Sequence, residues 1–256
     1  MRIMTSNIWG DYFGNPVEVR QDQLYQVFQT YQPDILGFQE VTSGWYNGTL
    51  LEKLSEEYAF AGTELYENIN YVPLAYKKKY ALLAKGYEFL TDTPDISKAI
   101  TWAVLQDGDR KFAVCNTHFW WKTGPEHDEI RLQNARQLTA LMRHLHETHR
   151  CCVFAFGDMN CTVSSGVFRI YAENGIRQLR ELAVQADTVT SHHGDPLRGE
   201  DGLYHGTPST KDYNYSIDHL VVLGEGCHVD SYRVIEDQAA LDATDHSPVF
   251  ADVEII

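Results

Sequence analysis

The apolar positions of this chain change their period several times, and each change marks an element. The opening run MRIMTSNI predicts a short strand from residue 1. Within 17–31, Leu24, Val27, Phe28 and Tyr31 recur at helical spacing, and Pro33 ends that helix. DILGFQEV then reads as a compact strand and WYNGTLLEKLSEEY as a second helix. From 58 to 91, short apolar segments alternate with turns, the pattern of antiparallel strands. AITWAVLQDGDRKFAVCNTHFW predicts a hairpin around Asp107-Gly108, a pair suited to positive φ. GPEHDEIRLQNARQLTALMRHLHETH sets Ile130, Ala135, Leu138, Leu141, Met142 and Leu145 on one helical face. CCVFAFGDMN is a buried strand with a polar end, helical stretches follow near 165–184, and 187–215 is a long polar loop. YSIDHLVVL, HVDSYRVIE and SPVFADVEI close the chain as strands.

Strands and helices interleave throughout, with no internal repeat, low-complexity tract or linker-like boundary. Residues 1–256 therefore read as one α+β domain, two β-sheets packed face to face with helices outside.

Charge narrows the function. The chain has 21 basic against 36 acidic residues, a formal net charge of −15. Gripping duplex DNA along its backbone takes a basic face, and the whole-molecule field here repels a polyanion. The five cysteines are odd in number, two are adjacent, and none has zinc-site spacing. Buried reduced thiols fit that pattern and suit a cytoplasmic protein. The first residues, MRIMTSNIWG, lack a secretory apolar stretch, and no run reaches the length of a membrane span.

The polar residues concentrate at strand ends. Asn7 ends the first predicted strand, Glu40 the second and His118 the hairpin. Asp158 and Asn160 end CCVFAFGDMN, Asp218 lies in SIDHL, and Asp245-His246 precede the last strand. An Asp or Asn after a strand is ordinarily a turn former. Six such placements, all of types that hold a hard cation or move a proton, are harder to assign to turns.

The set Asn7, FQE at 38–40, NTH at 116–118, GDMN at 157–160, SIDH at 216–219 and TDHSP at 244–248 resembles the endonuclease/exonuclease/phosphatase superfamily, the fold of pancreatic deoxyribonuclease. The motifs come in the family's order and span 7–248; the nearest likeness is to its bacterial metal-dependent hydrolases. The resemblance implies a four-layer α/β/β/α sandwich with mostly antiparallel sheets, and metal-dependent hydrolysis of a phosphoester.

That chemistry assigns roles. Phosphoester hydrolysis needs charge neutralisation, an aimed water and a stabilised transition state. Glu40 is the expected metal ligand, Asn7 by resemblance helps place the metal, and Asp245 is a second ligand, direct or through water. Mg²⁺ or Mn²⁺ fits oxygen donors better than Zn²⁺, for which no Cys/His cluster is spaced. Asp158 resembles the residue that orients or deprotonates the attacking water. Asn160 would donate its amide to a phosphate oxygen, the i, i+2 spacing of an extended segment aiming both side chains one way. His246 contacts the phosphate as base or as charged stabiliser, with Asp218 fixing its ring. His118 resembles the family's second histidine, which contacts phosphate or helps protonate the leaving group. The other nine histidines are expected on the surface.

For substrate binding, Trp121 and Lys122 form an expected lip beside the phosphate, in competition with a core role for one of Trp120 and Trp121. The 187–215 loop is a second expected wall, with Arg198, Tyr204, His205 and Lys211. Trp9 stands where some nuclease members carry an acidic metal contact. NTHF is nearer the phosphatase, sphingomyelinase and deadenylase branches than the abasic-site enzymes. These features favour a small phosphorylated substrate over polymeric nucleic acid. The alternatives are a nuclease acting on DNA or RNA and a non-catalytic binding module on the same fold.

Overall fold

The computed structural model describes residues 1–63 and 70–256. Its strands in chain order are β1 (Arg2–Asn7), β2 (Ile35–Gln39), β3 (Tyr58–Ala61), β4 (Leu74–Lys77), β5 (Ala81–Phe89), β6 (Ala99–Asp107), β7 (Arg110–His118), β8 (Cys152–Asp158), β9 (Ile176–Gln178), β10 (Gln185–Ala186), β11 (Leu197–Arg198), β12 (Tyr204–His205), β13 (Asp218–Leu223), β14 (Cys227–Val234) and β15 (Val249–Ile255). The helices are α1 (Gln21–Tyr31), α2 (Ser43–Asn47), α3 (Leu50–Leu54), α4 (Pro125–His149), α5 (Gly166–Glu173), α6 (Leu179–Leu182) and α7 (Gln238–Ala243).

One sheet runs β10-β14-β15-β1-β2-β4-β3 and the other β5-β6-β7-β8-β13-β9, with β11 and β12 in a separate ribbon. Three apolar clusters define the layers. Ile3, Ile35, Phe112, Phe154, Phe156 and Val249 fill the space between the sheets. Leu138, Met142 and Leu145 of α4 cover the outer face of β7 and β8, and Leu24, Val27 and Phe28 of α1 cover that of β1 and β2. A helix with one apolar stripe buries it in this way against a sheet face. The expected four-layer α/β/β/α sandwich is the observed architecture, with most strand pairs antiparallel.

Several boundaries differ from the sequence pattern. α1 begins at Gln21, because 17–20 form a turn in which Val17 O accepts from Arg20 and Gln21 N–H. The expected second helix splits into α2 and α3 at Gly48, whose extended backbone interrupts it. Asp107 pairs with Arg110, so the hairpin turn is Gly108-Asp109, with Gly108 at φ 57°. Near 165–184, β9 separates α5 from α6, and α7 was not legible. Part of the antiparallel segment expected over 58–91 lies outside the described residues.

Candidate active site

Each large sheet contains one parallel pair among its central strands, β1 with β2 and β7 with β8. Parallel neighbours deliver their C-terminal ends to the same edge, and the candidate residues sit there. Asn7 pairs with Gln39, one residue before Glu40. His118 pairs with Asp158, and Asp158 with Asp218 on antiparallel β13. Buried amides tie the two sheets beneath the site. Gln39 Nε2 donates to Asn116 Oδ1 at 2.6 Å, and Asn116 Nδ2 donates to the Phe38, Val72 and Pro73 carbonyls. Gly157 permits a close approach: a Cβ there would lie 1.9 Å from Thr117 O.

Loop backbone completes the site under strain. Trp9, Glu40 and Asn160 lie at φ 55°, 63° and 48°, a region that disfavours L side chains. Glu40 is held there by its own carboxylate, which accepts Gly10 N–H at 2.8 Å and Asn7 Nδ2 at 3.2 Å. Thr244 Oγ1 donates to Asn7 O and accepts His246 N–H, fastening the last turn to the end of β1.

A chain of polar contacts crosses the site. Asn7 Nδ2 also donates to Asp158 Oδ2 at 3.1 Å. Asp158 Oδ2 lies 3.4 Å from His118 Nε2 and 3.8 Å from His246 Nε2. His246 Nδ1 meets Asp218 Oδ2 at 2.7 Å, and Ser191 Oγ donates to the same oxygen at 2.7 Å. Lys98 Nζ sits 2.8 Å from His118 Nε2 and 3.1 Å from its Nδ1. Of these groups, Lys98, His118, Asp158 and His246 border a cavity of about 670 Å³ that also includes Glu40, Asn160 and Asp245.

Burial and neighbouring charge set the protonation. Burial alone would lower His246, but Asp218, Asp245 and Asp158 hold it well above the usual histidine value, so its ring is charged at neutral pH. His118 is driven the other way by burial and by the Lys98 and His246 charges, and is neutral. Burial, with the Asp218 charge, pushes the Asp158 carboxyl up to about 7 against the opposing pull of His246 and Lys98. Asp245 rises to about 6 through burial, with Glu40 and Asp195 adding to the shift.

The donor set suits a hard cation. Glu40 and Asp245 both face the cavity and repel one another, and their ligand atoms are oxygens. Ligand atoms within 4.8 Å of one another come from His192, Asp245 and His246 and from Asp158, Asp218 and His246, with Glu40 outside both groups. In the second group Asp218 and His246 already bond each other, which makes it a hydrogen-bonded relay.

Some expected positions need correction. Asn7 turns its NH₂ to Glu40 and Asp158, bridging the two carboxylates, while its oxygen accepts Trp9 N–H at 3.0 Å. An oxygen facing two carboxylates would be repelled. Asn160 is not extended: its N–H caps Asp158 Oδ1 and its Nδ2 donates to Phe119 O, which leaves one amide hydrogen for a ligand. Trp120 is core at 3% exposure and Trp121 lines the cavity. Lys122 folds over the Trp120 and Trp121 rings at 5.8 and 5.7 Å, and Lys211 over Tyr215 at 5.5 Å, and neither lines the cavity. The 187–215 loop does form a wall, through His192 and Asp195, while Tyr204 packs on Trp9 and His205 pairs with Asp201.

The sequence pattern missed Lys98, Ser191 and His192. Lys98 opens an apolar strand run, where a lysine passes for a solvated end, yet it is 4% exposed. His192 reads in sequence as a surface histidine, but its ring meets His246 edge-on at 4.7 Å. His219, which reads the same way, is buried in the core with its Nε2 at 2.8 Å from Cys161 O.

With this geometry, the chain belongs to the endonuclease/exonuclease/phosphatase family, whose profile matches residues 4–246. It is 26% identical to exodeoxyribonuclease III of Haemophilus influenzae, over 93% of this chain and 96% of that protein. Among solved structures, an endonuclease/exonuclease/phosphatase from Bacteroides vulgatus superposes with a TM-score of 0.79 at 24% identity, covering 100% of this chain and 98% of that one. A mannosyl-6-phosphatase from Bacteroides thetaiotaomicron superposes at 0.75 with 18% identity, covering 100% of both chains. Among the described residues, no helix is long and apolar enough to cross a membrane.

Proposed function

We propose that this chain, as one catalytic domain, is a divalent-metal-dependent phosphoesterase that hydrolyses a small phosphorylated substrate by in-line attack of water. The observation that carries the reading is His246, held by Asp218 from behind, beside Asp158, both facing the same cavity as Glu40 and Asp245.

Glu40 and Asp245 would hold Mg²⁺ or Mn²⁺, which when bound neutralises phosphate charge. Asp158, raised by burial toward neutral pH, suits the group that takes the proton of the attacking water. Asn7 aims that carboxylate by holding its Oδ2. The contact with Asp218 keeps His246 charged, which favours the stabiliser role over the base for this ring. Asn160 retains one amide hydrogen for a phosphate oxygen. His118 is neutral beside Lys98, and the two together offer a proton path to the leaving oxygen.

A second reading, a nuclease, is favoured by the relationship to exodeoxyribonuclease III. Against it stands the cavity wall, whose one cationic side chain outside the histidines, among the described residues, is the buried Lys98. The test is turnover of p-nitrophenyl phosphate and its bis-ester with Mg²⁺, Mn²⁺ or EDTA, for wild type and Asp158→Ala. Metal-dependent turnover abolished by the substitution supports the reading. Efficient nicking of plasmid DNA with slow turnover of both esters would replace it with the nuclease, and metal binding without any turnover would leave a binding module.

A further inference from the structure

The wall of the cavity describes the half of the substrate that is not phosphate. Tyr12, Phe13, Tyr71 and Trp121 line it, and Ile96 extends the apolar lip. Phe13 is 90% exposed, Ile96 58% and Trp121 54%. Apolar rings left in water forgo the free energy that burial would supply, and a contiguous set of them beside a polar centre marks a contact surface.

Hydrogen bonds anchor the loop bearing two of these rings. Asn15 Oδ1 accepts Phe13 N–H at 3.2 Å, and its Nδ2 donates to Gly10 O at 2.6 Å. Arg20 is wholly buried and donates to the carbonyls of Ile8, Trp9, Asn15 and Pro16. Its guanidinium lies over the Trp9 and Trp45 rings at 4.8 and 5.0 Å. It also donates to Ala243 O at 2.8 Å, two residues before Asp245. Burying a cation with no carboxylate partner is costly. What the arrangement achieves is a fixed register between the aromatic loop and the Asp245–His246 turn.

Beyond the phosphate end, the carboxylates Asp95 and Asp195 stand beside the Ser97, Tyr12 and Tyr71 hydroxyls among the described residues. Asp95 and Asp195 are exposed carboxylates on the cavity wall, acceptors with nothing to donate when ionised. A nucleic acid strand would set its next phosphates against these carboxylates and rings. A sugar ring offers what they lack, a C–H face to lie on the aromatic rings and hydroxyls to donate.

Resting on the phosphoesterase reading, we propose that the substrate is a sugar monophosphate. Its phosphate lies at Asp158 and His246, its ring against Tyr12, Phe13 and Trp121, and its hydroxyls donate to Asp95 and Asp195. The oxygen of water bonds to phosphorus, the ester P–O bond breaks, and the sugar leaves as its alcohol after taking up a proton. Inorganic phosphate is the other product, and no redox partner is required.

The experiment compares a hexose 6-phosphate, ethyl phosphate and a 5′-phosphorylated trinucleotide with the Mg²⁺-loaded protein. The expected kcat/KM for the hexose ester is at least about tenfold above the other two, and Phe13→Ala and Trp121→Ala should shrink that preference through KM, by roughly fivefold or more. Equal or greater turnover of ethyl phosphate or the trinucleotide overturns the inference, as does an unaltered hexose preference in both variants. Should no ester be hydrolysed, saturation-transfer NMR with the hexose phosphate decides. Transfer to the ring protons that both substitutions weaken keeps the sugar site and removes the catalytic reading, whereas no transfer in the wild type removes the sugar site.

Discussion

His246 and Asp218, 28 residues apart in sequence, meet at 2.7 Å through Nδ1 and Oδ2 with both side chains almost fully buried. The bond fixes which ring nitrogen faces Asp218 and leaves Nε2 toward Asp158. Asp218→Asn keeps the shape and removes the charge. The expected outcome is a loss of kcat of about 10²–10⁴-fold with little change in KM. Steady-state kinetics alongside a melting curve reads this, and near-normal kcat in a folded variant would remove the relay from the mechanism.

Glu40 offers the cavity a carboxylate already oriented by Gly10 N–H and Asn7. Glu40→Ala should weaken Mn²⁺ binding by about 10–100-fold or more, since an orienting partner alone is worth that much at other metal sites. Calorimetric titration measures it. Wild-type affinity would shift the metal to the group formed by His192, Asp245 and His246.

Lys98 is the second cause, after burial, of the low proton affinity of His118. Lys98→Met removes a charge and keeps most of the packing, so the His118 titration should move upward. Ring-proton NMR against pH reads the direction. An unmoved titration would mean that burial alone keeps this ring neutral.

His219 is buried and its value falls to about 4 from 6.5, the work of burial. The fold therefore favours the neutral ring. The stabilisation is fully present above pH 6.5 and is lost as pH falls toward 4, because the unfolded chain takes up the proton first. The shift corresponds to about 3 kcal/mol across that window. Chemical denaturation at pH 7 and pH 4.5 should show a smaller acid loss for His219→Gln than for wild type, and equal losses would contradict the assignment.

Much of the site was legible because strand ends are local features. Asn7, Glu40, His118, Asp158 and Asp218 each follow or open an apolar run, and such runs are visible in sequence. Substrate-facing residues were less legible. Lys122 and Lys211 suit a phosphate by type, but each lies over a neighbouring ring and neither lines the cavity. Lys98 and His192 do face the site, and nothing adjacent in sequence distinguishes them from solvated residues.

Neighbouring residues alone give the order of the main strands and helices, though not β9 to β12 or α7, together with the helical face of α4, the polar groups at the strand ends and their likeness to a family. Periodicity and motif order are properties of neighbouring residues. Only the tertiary structure decided that Asn7 bridges two carboxylates, that Lys98 lies against His118, and that Arg20 locks an aromatic loop to the Asp245–His246 turn. Those contacts depend on sheet register and on which oxygen or nitrogen a side chain turns inward, and residues as far apart as Arg20 and Ala243 meet only once both sheets have closed on one core.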